Sequence, residues 1–383
     1  MKIKLTALLA TVTLVSLASC SVEDSASQIS TEDVSGDSKV SSENSEASDP
    51  EVDEAPNDNS EDHSSLTEVP LTENPGIEVF VADDLSPDVG ELILTTLEVA
   101  SEEWGLYWPV EYWVLGVEED PGLKLVTQFC ERREELKQWD FEECMNREAG
   151  SEQYSMIEYQ QLGAEALAEG QPSNSAGRNG TAHWGIHRFA SSQPWGLTGE
   201  FGISPDEDLK TVLHEYWHAV QHSFISTLDF EAREELMGPV WFVEGSAEYM
   251  AQYGHHKLGS AGLLPAVPEG DWPFDFESQM EGKLFDIDRA SGECGDRNLI
   301  SIETYEDPCS YLGYEMGAWA IAYLVDLTGP DVLLEEVHPM VEKLGWAGAF
   351  ESAAGISLED FDADFMRFME RTNLERLQIL KID

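Results

Sequence analysis

The chain has 383 residues, with 76 acidic against 21 basic side chains (formal net charge −55), 42% hydrophobic residues and 11 tryptophans. That much apolar material supports a sizeable core and excludes wholesale disorder. The charge excludes ordinary nucleic-acid binding, which needs clustered Lys and Arg to neutralise phosphates, and suits solubility or a salty medium better than any specific partner.

Residues 1–20 read MKIKLTALLATVTLVSLASC. Lys2 and Lys4 precede an apolar run from Leu5 to Ala18 that is too short for a stable membrane span, the layout of an export signal. The run closes on Leu17-Ala18-Ser19-Cys20, which resembles the lipobox of bacterial lipoproteins. The resemblance implies that Cys20 becomes the lipidated first residue of an envelope-anchored protein. An ordinary signal peptide with a cysteine near its cleavage site is the other reading. Ser21 after the cysteine resembles sorting to the outer membrane, if the cell is Gram-negative. Residues 21–76 hold 16 acids and one lysine and almost no aromatics, so they cannot bury enough surface to offset their ordering entropy. They are expected to form a disordered acidic tether, which includes His63. Its root-mean-square span as a flexible coil is on the order of 40 Å.

Residues 77–82 (IEVFVA) alternate and are rich in β-formers, which predicts a strand. Ser86 and Pro87 follow as an N-cap and a first-turn proline, opening a helix to about Trp104. Residues 111–116 (EYWVLG) are a second strand candidate, and helical patterns run through 129–138 and 145–168. The Gly/Asn/Ser stretch 171–180 reads as a loop and 181–190 (TAHWGIHRFA) as another strand. Beyond Asp206 the chain reads almost wholly helical, broken by a Gly- and Pro-rich region at 254–308. No internal repeat is visible. The fold class is α+β: a mixed strand–helix half (77–225), then a mainly helical half (226–383).

Setting Cys20 aside leaves Cys130, Cys144, Cys294 and Cys309, two sequence-local pairs closing loops of similar length. In an oxidising compartment these predict the disulfides Cys130–Cys144 and Cys294–Cys309. A cysteine metal site is the rival, disfavoured because neither pair has the close CxxC spacing of zinc-thiolate sites.

The chemistry sits at residues 209–224 (LKTVLHEYWHAVQHSF), where Leu209, Val212, Leu213, Trp217 and Val220 keep helical spacing and Asp206 and Asp208 precede as cap or dipole partners. Within it lies HExxH, His214-Glu215-Tyr216-Trp217-His218. Imidazoles four apart stack on one helical face and can reach a single Zn²⁺, while Glu215 projects toward the water on that metal. A hydrolytic zinc site also needs a third protein ligand and an open position.

Downstream, residues 241–249 read WFVEGSAEY. HExxH followed on a second helix by W-x-x-E-G-x-A-E resembles the gluzincin metallopeptidases, the thermolysin-like clan with two His and one Glu on zinc. The resemblance implies a zincin-like fold with the active-site helix between its halves and one zinc per chain. It further implies Glu244 as third ligand, Glu215 as general base, and Glu248 as the acid that orients His214. Residues 311–319 (YLGYEMGAW) are similar to a Tyr-Glu-x-Gly helix start in the aminopeptidase branch, which implies Tyr314 as oxyanion donor, with Tyr311 in reserve. Residues 346–369 look like the closing helices of the clan. The His218–Glu244 stretch is nearer the bacterial collagenase arrangement, and the aminopeptidase G-x-M-E-N sequence is absent, so an endopeptidase is expected. The resemblance covers about the last 180 residues; 77–199 match nothing recognised.

Asn179, His183 and His187 fall where such enzymes carry a substrate-aligning edge strand, as substrate contacts or as plain strand residues. His222 is either a neighbour of the metal site or surface, and His255-His256 reads as an exposed helix end. The expected activity is zinc-dependent hydrolysis of a peptide or protein substrate by an exported, lipid-anchored enzyme. The alternative is a non-catalytic adhesin, scaffold or peptide-binding protein. Nothing in the sequence indicates an oligomeric state.

Overall fold

A computed structural model describes residues 76–380 apart from 107, 151–154, 174, 180–183, 269–273 and 296. The export signal, Cys20, His63 and His183 lie outside the described residues.

The fold is α+β, with a small sheet and mostly helical content. Its first part runs β1 (Ile77–Val81), α1 (Pro87–Trp104), β2 (Val110–Val114), α2 (Glu119–Glu135), α3 (Phe141–Glu148), α4 (Met156–Glu169), β3 (Ala176–Asn179) and β4 (His187–Ser191). The sheet order is β1-β2-β4-β3, with β1, β2 and β4 parallel and β3 antiparallel at the edge. Ser86 caps α1 by accepting from the Asp88 N–H, and Pro87 occupies the first turn, where no donor is needed.

Two helix starts and two strands differ from expectation. Of the stretch 181–190 read as a strand, 184–186 form a turn and β4 begins only at His187, while 181–183 lie outside the described residues. The helix α2 begins at Glu119, ten residues earlier than its apolar pattern, because Pro121 falls in the first turn, where a missing N–H costs nothing. The pattern over 145–168 is divided between α3, capped by the Asp140 side chain, and α4. The stretch read as a loop contains β3, whose small residues satisfy their backbone by pairing with β4.

The second part runs α5 (Trp195–Thr198), α6 (Pro205–Ser223), α7 (Phe230–Met237), α8 (Val240–Ser260), α9 (Phe276–Cys294), α10 (Leu312–Thr328), α11 (Val341–Ala354), α12 (Leu358–Met369) and α13 (Asn373–Leu377). The helix α9 lies inside the region expected to be broken, between the Pro-rich segment and the loop that carries the second disulfide. Among the described residues, no helix is long and apolar enough to cross a membrane.

Strand alternation sends Val110, Tyr112 and Val114 to one face, where they join a main core with α1, α6, α8, α10, α11 and α12; Trp113 and Ala190 face α2 and α4 on the other side. Each large apolar side chain in these cores contributes roughly 1.5–3 kcal/mol on burial. Both disulfides form as expected, Cys130–Cys144 joining α2 to α3 and Cys294–Cys309 closing the loop after α9. On a loop-entropy account each contributes roughly 3 kcal/mol.

The site depends on how α8 meets its neighbours. It crosses α10 at Gly245 and Gly317, where a Cβ on Gly245 would overlap the Gly317 backbone and one on Gly317 the Trp241 carbonyl. Only glycine at both positions allows this approach, which presses the opposite side of α8 against α6.

Candidate metal centre

The helix α6 starts at Ser204, whose hydroxyl accepts from the Asp206 N–H at 3.3 Å, with Pro205 in the first turn. Asp206 and Asp208 are therefore not the cap. Asp208 instead accepts from the Leu197 N–H at 2.7 Å, and burial lifts its pKa to about 7 despite that bond. From Leu209 onward α6 is almost wholly buried, so its polar residues must find partners inside the protein.

His214, His218 and Glu244 form a buried group able to hold a metal ion. His214 Nε2 lies 3.2 Å from His218 Nε2 and 3.2 Å from Glu244 Oε2, and His218 Nε2 lies 3.4 Å from the same oxygen. Ligands about 2.1 Å from a tetrahedral centre stand about 3.4 Å apart, so this triangle has the size such a centre requires. Two imidazoles and one carboxylate suit a borderline transition metal better than calcium or magnesium, which take oxygen ligands.

Neighbouring bonds determine which ring nitrogens face the centre. His214 Nδ1 donates to Glu248 Oε2 at 3.1 Å, leaving Nε2 for the centre. His218 Nδ1 is 2.7 Å from Gln221 Oε1. The Gln221 Nε2 donates to the Val243 carbonyl at 3.0 Å and to Ser246 Oγ at 2.7 Å, which fixes the amide orientation and makes Oε1 an acceptor. His218 must therefore donate through Nδ1, and its Nε2 lone pair also points inward. Both imidazoles and a carboxylate oxygen thus converge on one point that calls for positive charge.

The ionisation states agree with that demand. Burial opposes the cationic form of His214, but hydrogen bonds to Glu244 and Glu248 outweigh it and lift its pKa to about 9. Burial likewise opposes ionisation of Glu244, yet His218 and His214 hold it well below the carboxylate range. A cation at the centre would displace the proton held there.

Glu215, next to His214, is 1% exposed. Burial first, and the Glu215 charge with it, raise the pKa of Tyr112 on β2. Glu248 lies one turn beyond Glu244 and receives Lys210 Nζ at 3.2 Å, Lys283 Nζ at 2.8 Å and Gln252 Nε2 at 2.9 Å besides His214. Burial opposes the Glu248 charge, but the two lysines hold its pKa well below the usual value. Lys283 also reaches Glu315 at 3.2 Å, linking α9 to α10.

The two tyrosine candidates separate. The Tyr314 ring lies nearly parallel to that of His214, 6.0 Å between centroids and 11° between planes. The Tyr311 hydroxyl instead meets Cys294 Sγ at 3.3 Å. A third tyrosine, absent from the sequence reading, reaches the group: Tyr305 Oη donates to Glu244 Oε1 at 2.5 Å. Gln221, Lys210 and Lys283 were also missed. Gln221 sits at i+3 from His218, a spacing that could have flagged it; Tyr305 and Lys283 carry no local signal.

The other described histidines stand outside the triangle. His222 is buried, not on the surface; its Nδ1 accepts from Arg233 Nη2 at 3.2 Å. His187 opens β4 under the Trp108 ring, 4.9 Å between centroids. Asn179 closes β3. His255 is buried 3.2 Å from Asp206 Oδ1 and is no exposed helix end, because α8 continues to Ser260. Comparison of the chain with models of known protein families, with curated proteins and with solved structures returns no match in any of the three.

Proposed function

We propose that this chain is a zinc-dependent peptidase of gluzincin type, an endopeptidase with a zincin-like fold. One observation carries the reading: two Nε2 atoms and a carboxylate oxygen converge at tetrahedral spacing, and Glu215 follows His214 on α6. Bound zinc would supply a Lewis acid that polarises the scissile carbonyl and makes water nucleophilic near neutral pH.

The chain's own residues would do the rest. His214, His218 and Glu244 hold the ion, and Glu248 and Gln221 keep both imidazoles turned toward it. Glu215 takes the proton of the attacking water and passes it to the leaving amine. Tyr314, beside the His214 ring, donates to the developing oxyanion. The strand β3, outermost in the sheet among the described residues and packed on α6, would offer its outer edge to an extended peptide. Export and a lipid anchor at Cys20 would put this chemistry at the cell envelope, where two disulfides are sustainable.

The test is casein cleavage by the purified chain, with and without a chelator, alongside Glu215→Gln. The wild type should hydrolyse casein only when metal-loaded. Glu215→Gln should keep zinc and lose at least about 100-fold in turnover. Undiminished turnover by that variant would remove the mechanism; zinc binding without cleavage by the wild type would favour a binding protein.

A further inference from the structure

We propose that Tyr305 is a positioning residue for Glu244, and that the disulfide-closed loop carrying it sets the metal affinity of the site. The proposal rests on the reading of His214, His218 and Glu244 as zinc ligands.

Glu244 is fully buried and its two oxygens have different partners: Oε2 faces both imidazoles, while Oε1 accepts from Tyr305. A carboxylate free to rotate could present either oxygen, or both, to a cation. With Oε1 held by the Tyr305 hydroxyl at 2.5 Å, Oε2 is the oxygen kept turned toward the centre. The donor is also neutral. A lysine in its place would cancel the ligand's charge, whereas a phenol orients the carboxylate and leaves that charge for the metal.

Tyr305 is 61 residues from Glu244 in sequence, and what brings it there is a braced loop. The Cys294–Cys309 bond closes the loop. Inside it, Arg297 grips Asp307 through two bonds of 2.6 and 3.1 Å, and Asp307 Oδ1 accepts from the Cys309 N–H at 2.8 Å. Asp362 of α12 anchors it from outside by accepting from Asn298 Nδ2 at 3.0 Å. The same loop supplies the carbonyls of Glu303 and Ile302 to the Val240 and Trp241 N–H groups, at 3.0 and 3.3 Å. These are otherwise unpaired donors of the first turn of α8, which carries Glu244. One cross-linked segment therefore fixes both the ligand's helix and the ligand's second oxygen.

The experiment is a zinc competition titration on the full mature chain, comparing wild type, Tyr305→Phe, Cys294→Ser/Cys309→Ser and the triple variant. Tyr305→Phe should lower zinc affinity by about 10- to 100-fold while the melting temperature of the metal-free protein moves little. The cysteine variant should show a similar loss, and the triple variant no more than the larger of the two, because both changes act through one contact. Wild-type affinity in Tyr305→Phe would overturn the proposal, as would a fall in turnover at saturating zinc with unchanged affinity, which would make Tyr305 catalytic. Fully additive losses would overturn the role of the loop. If the wild type itself bound no zinc, the metal reading would fall, a result distinct from a failure of Tyr305 alone.

Discussion

Two clusters of buried charge lie on opposite faces of the sheet, and they are built on opposite principles. On the α2 side, Glu111 takes Arg133 at 2.7 Å and Arg132 at 2.9 Å, while Glu148 takes Arg188 at 3.1 Å. The guanidiniums of Arg133 and Arg188 lie over the Phe129 ring, 5.0 and 4.6 Å from its centroid. Each acid there has its cation within the fold. On the α6 side, three acceptor atoms turn toward one another, and the nearby lysines serve Glu248 rather than the centre. A buried cluster that neutralises itself holds a structure together. One that gathers acceptors around a point is able to hold a cation from solution.

The largest effect expected on the closed cluster comes from Arg133→Met. Removing this guanidinium leaves Glu111 only partly compensated, and unfolding free energy should drop by about 3–5 kcal/mol in urea titrations, with zinc stoichiometry unchanged. A fall in zinc content at equal folded fraction would show that the clusters are coupled. On the open cluster, Tyr314→Phe should reduce kcat by about 10²–10³-fold without weakening zinc binding. A fall in zinc affinity instead would make the phenol a support for His214.

A pH-dependent effect tests the core packed on α6 and α8. His338 is buried against Trp217, Phe224 and Phe242, and burial pushes its pKa down from 6.5 to about 3. The unfolded imidazole gains its proton near pH 6.5 and the folded one only near pH 3, so the unfolded chain binds more protons in between. This contribution is full above about pH 6.5 and is lost at roughly 1.4 kcal/mol per pH unit as pH falls toward 3. His338→Phe should flatten that slope in melting curves from pH 4 to 7; an unchanged slope would place the titration elsewhere.

How much of this was legible in the sequence follows from how local each signal is. The i, i+4 histidines, the Ser86-Pro87 helix start and the two cysteine pairs depend on neighbours a few residues apart, and all appear as expected. The edge strand β3 does not announce itself, because its Ala-Gly-Arg-Asn sequence has little β preference and is held by pairing with β4. His255 was misread because helix length decides burial: α8 runs on past it, against the start of α6. The partners of the metal group split along the same line. Gln221 is one turn from His218, whereas Tyr305 and Lys283 arrive from a braced loop and a separate helix, and only the folded chain shows them at the site.

The most direct measurement of the central claim is zinc stoichiometry by native mass spectrometry on the purified chain and on Glu244→Gln. Equal occupancy of both would contradict the convergence of these three side chains on one cation; one zinc per wild-type chain, lost in the variant while the fold is kept, is the predicted result.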